Sequence, residues 1–306
     1  MKKGAMKYYI LPVLAALMLL PVACQPDDFT EPSFLHVDAI NLVPPSQNAI
    51  TLEPGFYTSD IVAAYAVAHY PDEQTLDTLG LFMLPFTIPV LHNGPVDYIE
   101  IFPAVPQSGQ AYMLPFYTFY KKITICDTAL HSGDTLNLGT LTTTYNLTMS
   151  DVLMYEMFEP TEMSLLFDSV MQWRPTAPDE ACSGWGYGYV PVADSLYTVD
   201  FAIDRQFLVT DPGKLVYLEL DSRCDMELAV FMESAIVAGG NTTRAEVMRI
   251  RPSDEWKHLY INMGRTWSYF NHNPQFRISF TAINDNQESG EIRLDNVRLL
   301  TTSTVL

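Results

Sequence analysis

The feature that most limits the fold is the period of the apolar residues, which is two almost throughout. Tyr197, Val199, Phe201 and Ile203 fall on one side of an extended chain, with Thr198, Asp200 and Ala202 on the other. Val216, Leu218 and Leu220 oppose Tyr217 and Glu219, and Leu259, Ile261 and Met263 oppose Tyr260 and Asn262. Phe276, Ile278 and Phe280 likewise oppose Arg277 and Ser279. A strand sends successive side chains to opposite faces, so each run turns one apolar face to a core. Helical periodicity is scarce, and Pro, Gly, Asn and Asp punctuate the runs. Many short strands separated by turn residues specify an all-β protein made of sandwiches rather than an α/β fold.

At 306 residues the chain is long enough for two cores. Residues 34–148 carry about seven short runs and read as an immunoglobulin-like β-sandwich. The apolar stretch at 81–90 is broken by Pro85 and Pro89, which suits an edge or bulged strand. Residues 149–161 read as a joint, where Ser150-Asp151 can cap a single helical turn. Residues 162–306 form the second unit. In its last run Ile292 and Leu294 share a face, yet the next apolar residues are Val297 and Leu299. That slip at Asp295-Asn296 predicts a β-bulge, and the long double sheet around it reads as a jelly-roll sandwich.

The start of the chain reads as an address. Lys2, Lys3 and Lys7 precede an apolar stretch at 8–22, which falls short of the roughly 20 residues a bilayer span needs. A basic start, a short apolar core and a small residue before the cut describe a signal peptide, residues 1–23. Leu20-Pro21-Val22-Ala23-Cys24 is lipobox-like and makes Cys24 the lipidation site, although Pro21 stands where such signals usually carry Leu. The other reading is an ordinary secretory signal with an incidental cysteine. Residues 24–33, with two prolines and three acids, form an extended acidic tether. The processed protein is then expected outside the cytoplasm, held to the outer membrane by its acyl chains.

Removal of the signal takes three of the 17 Lys+Arg and no acids, leaving 14 basic against 36 acidic residues and a net charge of −22. Nucleic acid and anionic lipid repel such a chain and are poor partners for it. Besides Cys24 there are Cys126, Cys182 and Cys224, with no Cys-x-x-Cys pair or metal-ligand spacing. Cys182 and Cys224 lie in the second unit and can pair as a disulfide in an oxidising compartment. Cys126, within Ile123-Thr124-Ile125-Cys126, reads as a small buried thiol.

The run Gly290-Glu291-Ile292-Arg293-Leu294-Asp295-Asn296-Val297-Arg298-Leu299 resembles the closing strand of carbohydrate-binding-module jelly rolls. Trp256-Lys257-His258-Leu259-Tyr260-Ile261-Asn262 resembles a core strand of the same domains. The whole mature chain is similar to a group of two-domain lipoproteins of the Bacteroidota, through Leu84-Pro85-Phe86-Thr87-Ile88-Pro89-Val90-Leu91, Leu114-Pro115-Phe116-Tyr117, Met157-Phe158-Glu159 and Leu218-Glu219-Leu220. The tether resembles the acidic stretch that sends lipoproteins of that phylum to the cell surface. These resemblances describe a fold and an address and carry over no catalytic residue. They do imply a structural calcium between an early Glu and an Asp on the last strand, here Glu159 and Asp295. Such an ion wants six to eight oxygens, so carbonyls and water must complete the shell. The plainer reading makes the two an ordinary turn and bulge residue.

For ligand binding, Ser183-Gly184-Trp185-Gly186-Tyr187-Gly188-Tyr189 places Trp185, Tyr187 and Tyr189 on one face with glycines between them. That row can stack on sugar rings, or it can line the core with glycine giving room for close sheet packing. Trp267-Ser268-Tyr269-Phe270-Asn271-His272-Asn273 is a second candidate, read as a loop. No His-Glu-x-x-His, Gly-x-Ser-x-Gly, phosphate-loop or dinucleotide motif is present. The expectation is a non-catalytic surface protein binding a glycan through its jelly roll. The alternatives are an accessory lipoprotein docking an envelope protein and, more weakly, a glycan-acting enzyme.

Overall fold

The computed structural model describes residues 31–44, 58–71, 77–92, 94–159, 166–175, 180–235, 242–270 and 273–302. The signal stretch, Cys24 and most of the tether lie outside the described residues.

Among the described residues the first lobe has nine strands. β3 (Ala63–His69), β4 (Asp77–Met83), β6 (Gly94–Ala104) and β7 (Ile123–Leu130) form an antiparallel sheet in the order β4-β3-β6-β7. Opposite it, β1 (Ser33–Val37) lies between β5 (Phe86–Val90) and β8 (Thr135–Asn137), while β2 (Ala39–Leu42) pairs with β9 (Thr140–Thr143). Leu35, Val37, Ala64, Ala66, Ile88, Ile99 and Ile101 meet in the core between the layers. The apolar 81–90 stretch is therefore two strands, turning from one sheet into the other at Leu84-Pro85, with each strand at an edge. Cys126 is exposed rather than buried. Ile123 and Ile125 pack toward the core, so alternation sends Cys126 outward, across from Tyr98.

The second lobe is a two-sheet sandwich. One sheet has the order β11 (Gln172–Pro175), β12 (Gly186–Val192), β20 (Gly290–Thr302), β15 (Val216–Cys224), β18 (Ser253–Asn262). The other runs β13 (Thr198–Ala202), β19 (Gln275–Ile283), β16 (Glu227–Ala235), β17 (Thr242–Ile250), with β14 (Phe207–Leu208) on β19. From β12 onward the chain crosses between sheets at nearly every step, staying in one only from β13 to β14 and in the β16–β17 hairpin, which is the jelly-roll winding. The alternating apolar faces of β15, β16, β18, β19 and β20 fill the space between the sheets.

The expected joint is β10 (Ser150–Glu156), which pairs antiparallel with β20 from Ser150↔Thr302 to Glu156↔Val297 and so belongs to the jelly roll rather than to a helical turn. Three successive apolar residues, Val152 to Met154, hid it, because the register shifts between Val152 and Met154. Cys182 and Cys224 are free thiols, not a disulfide. Cys224 points into the core between the sheets, whereas Cys182 neighbours Asp221 on the outer side of the same sheet, so the sheet stands between them. The bulge is present: β20 places Arg298 opposite Glu219 but Asp295 opposite Asp221, with Asn296 at φ 48°.

The lobes are joined over the outer face of the β15–β18–β20 sheet. Val105, Tyr117, Phe119, Tyr120 and Tyr145 of the first lobe pack on Tyr217, Tyr260 and Leu300 of the second. Inside this apolar seam lies Glu219, with no exposed surface. Its Oε1 accepts the Tyr117 hydroxyl, its Oε2 accepts that of Tyr145 at 2.6 Å, and Arg298 pairs with it at 3.2 Å. Arg298 also donates to the Tyr145 oxygen at 2.6 Å and to Thr58 Oγ1 at 2.8 Å. Two ions are tolerable in such a place only because each is paired and hydrogen-bonded. Burial works against the Arg298 charge, but Tyr145 and Glu219 outweigh it and raise its pKa.

Replacing Arg298 by Met leaves Glu219 buried without its partner and is expected to cost about 3–5 kcal/mol in urea unfolding. Adding Glu219→Leu should recover most of that loss. A single Arg298→Met variant as stable as the parent would contradict this role.

Candidate functional site

A cleft of about 960 Å³ opens where three segments meet. The first is the loop of the first lobe around 107–113. Gln107 N donates to Met113 O at 2.9 Å and Met113 N to Gln110 O at 3.0 Å, which closes the loop on itself. Ser108 N reaches across to Tyr260 O at 2.7 Å and fastens the loop beside β18. The second wall is β17, an edge strand, contributing Arg244, Glu246 and Arg249. The third is the short helix α1 (Gly264–Tyr269), with Asn262 just before it.

Each wall is fixed from behind. Asn262 Oδ1 accepts Gly264 N at 2.8 Å, an Asx turn that starts α1. Its Nδ2 donates to the Tyr217 hydroxyl at 3.1 Å, and that hydroxyl donates to Gln107 Oε1 at 3.0 Å. Tyr217 therefore sets two of the side-chain amides that line the cleft, one from each lobe. Trp267 is buried in the jelly-roll core at 1% exposure, and its Nε1 donates to Asn273 O at 3.0 Å. With α1 pinned on that side, Tyr269 is left 72% exposed at the cleft. On β17, Arg244 lies over the Phe231 ring, 3.8 Å from its centroid, and donates to Ser279, Thr281 and Asp200. Arg249 donates to both carboxylate oxygens of Glu246, at 2.9 and 3.1 Å.

The residues singled out from the sequence fall elsewhere, with one exception. In the 267–273 run the expected platform Trp267 is a core residue, while Tyr269, two positions on, is the exposed ring. The run is a helix at its start rather than a loop. Tyr187 and Tyr189 do share a face, but it is the outer face of the sheet and not the core. The glycines turn inward, and a Cβ on Gly188 would lie 2.5 Å from the Phe158 ring. Arg174 covers Tyr189 at 4.4 Å and Arg293 covers Tyr187 at 5.0 Å, so neither presents a bare ring. Trp185 precedes the strand and is 67% exposed, away from the cleft.

Glu159 and Asp295 do converge, around the turn at 183–185. Glu159 Oε1 accepts Trp185 N at 3.0 Å, Asp295 Oδ2 accepts Ser183 N at 3.1 Å, and Asp295 Oδ1 accepts Asn296 N at 2.8 Å. Amide donors thus engage three of the four carboxylate oxygens. Among the described residues no group of three or more His, Cys, Asp or Glu is arranged to hold a metal.

What the sequence did not reveal is the polar row behind this turn. Asp221 and Asp295 are directly opposite on β15 and β20, both buried. Asp221 accepts His258 Nδ1 at 2.8 Å and Asn296 Nδ2 at 2.7 Å. Burial alone would raise its pKa, but the His258 charge and these hydrogen bonds lower it. Burial, and then the charge of Asp221, hold the Asp295 carboxyl well above the usual range. The same burial, with both carboxylates nearby, pushes the Cys182 thiol up and makes it a poor nucleophile. His258 Nε2, buried and without a hydrogen-bond partner among the described residues, lies 3.9 Å from Glu219 Oε2. Lone Asp and His residues in alternating runs give no sign of such an assembly before the register is known.

No family model matches the chain, and no curated protein matches it. Solved structures similar to it include a family 29 carbohydrate-binding module, 14% identical, covering 49% of this chain and 87% of that one with a TM-score of 0.31. A mutant of such a module complexed with cellulohexaose is 16% identical over 50% of this chain and 92% of its own, TM-score 0.31. Another, complexed with mannohexaose, is 15% identical over 49% and 92%, TM-score 0.32.

Because Asp295 has a raised pKa, its contribution to stability is present below the unfolded value of about 3.9 and is lost as pH rises toward its folded value. Asp295→Asn removes that loss. Its melting temperature relative to the parent is expected to improve as the pH rises above about 4. A difference that does not change with pH would contradict the assignment.

Proposed function

We propose that the protein is a non-catalytic glycan-binding lipoprotein of the cell surface that holds its ligand in the cleft between its lobes. The observation that carries this reading is the exposed Tyr269 ring, set among the side-chain amides of Gln107, Gln110 and Asn262 in one concavity. A sugar offers an apolar C–H face and a rim of hydroxyls. It is held by an aromatic face with planar donors and acceptors fixed beside it. Gln107 and Asn262 are fixed before any ligand arrives, both by Tyr217. Among the described residues one carboxylate lines the cleft, Glu246, and Arg249 engages both its oxygens. Glycoside hydrolysis uses two, which favours binding over catalysis.

The basic start, the short apolar stretch and Cys24 support export and lipidation. The acidic tether supports display on the outer leaflet, with an immunoglobulin-like first lobe lending the cleft its 107–113 wall. A second reading, docking of an envelope protein, draws on Leu81 and Met83, exposed on the edge strand β4.

A glycan array followed by calorimetry on the best ligand tests the first reading. Tyr269→Ala is expected to weaken binding at least tenfold, about 1.4 kcal/mol, with an unchanged melting temperature. Binding to none of the glycans would move the function to protein docking, and binding indifferent to Tyr269 would remove the cleft.

A further inference from the structure

The cleft inverts the charge of the molecule around it. The full chain carries 36 acids against 17 Lys and Arg. Yet the cleft is lined by three arginines, Arg244, Arg249 and Arg265, and a single acid, Glu246. Two of the arginines are committed. Arg244 is held by Asp200, Glu233, Ser279 and Thr281, and Arg249 by Glu246 and Glu227. Arg265 is exposed and has no ion pair or hydrogen bond among the described residues. It sits on α1 four positions before Tyr269. Residues at i and i+4 share a helix face with Cβ atoms about 5–6 Å apart, so Arg265 and Tyr269 rise from the same side of α1. A pyranose stacked on Tyr269 projects its C5 substituent beyond the edge of the stack, where a long side chain from the same helix face can meet it. A guanidinium presents the paired donors that match a carboxylate.

We infer that the glycan bound in this cleft carries a carboxylate on its ring, as a uronate does, and that Arg265 receives it. The inference rests on the glycan reading and specifies its ligand class. The test uses calorimetry with trimers of galacturonate, glucuronate and mannuronate. Each is paired with its methyl ester, which keeps the ring and removes the charge, and acetate serves as a competitor. At least one acid is expected to bind tenfold or more tighter than its ester. Arg265→Gln should abolish that preference and leave affinity for the ester within about twofold, since the residue is exposed and outside the core. Acids and esters binding equally, or a preference that survives Arg265→Gln, would overturn the carboxylate while leaving the glycan reading standing. Displacement of the trimer by equimolar acetate would also overturn it, because that describes a simple anion site. Binding of neither acids nor esters would overturn it as well, and the glycan array then decides the glycan reading.

Discussion

The structure depends on a pair of ions that water cannot reach. Glu219 and Arg298 lie opposite each other on β15 and β20, on the outer face of a sheet whose other side is the jelly-roll core. Left uncovered, they would make an ordinary surface pair worth very little. Here the first lobe lays Tyr117, Tyr120 and Tyr145 over them and supplies hydroxyls for the carboxylate and an acceptor for the guanidinium. Burial without those partners would be costly, so the polar geometry admits one seating of the lobes where an apolar seam alone would allow several. The burial of the tyrosines, which raises the pKa of all three, keeps them as neutral donors at any ordinary pH.

From that seating the cleft follows. Tyr217 and Tyr260, on the strands beside the ion pair, face the first lobe. The Tyr260 carbonyl accepts Ser108 N, and the Tyr217 hydroxyl ties Gln107 of one lobe to Asn262 of the other. Neither lobe alone has a concavity with these three walls. The jelly roll contributes the edge of β17 and the α1 platform, and the first lobe contributes the loop that closes the opening. On the proposed glycan-binding reading, binding is a property of the pair of lobes, and a rigid junction spares the ligand the cost of assembling the walls.

Period-two patterning made the all-β class, the second sandwich and the bulge at Asp295-Asn296 legible, because each is a local property of alternating residues. β10 escaped notice because its own bulge sets Val152, Leu153 and Met154 in a row. The disulfide expectation failed on parity: proximity in sequence says nothing about which side of a sheet a thiol faces, and Cys182 and Cys224 face opposite sides. Glu219 in Leu-Glu-Leu reads as a solvent-facing residue, and it would be one without Tyr145, 74 positions away, to cover it. The site itself was legible only as an aromatic-rich run at 267–273. Which ring is buried depends on α1, whose helical turn exchanges the roles of Trp267 and Tyr269.

The central claim is that ligand is held between the lobes, not on the aromatic and arginine-covered face around Trp185, Tyr187 and Tyr189. Backbone amide chemical-shift mapping, with the tightest-binding oligosaccharide added stepwise, addresses it directly. Binding in the cleft would confine the shifts to 107–113, 243–249 and 262–269, drawn from both lobes at once. Shifts centred instead on 172–175, 185–190 and Arg293, with the 107–113 loop unmoved, would contradict it.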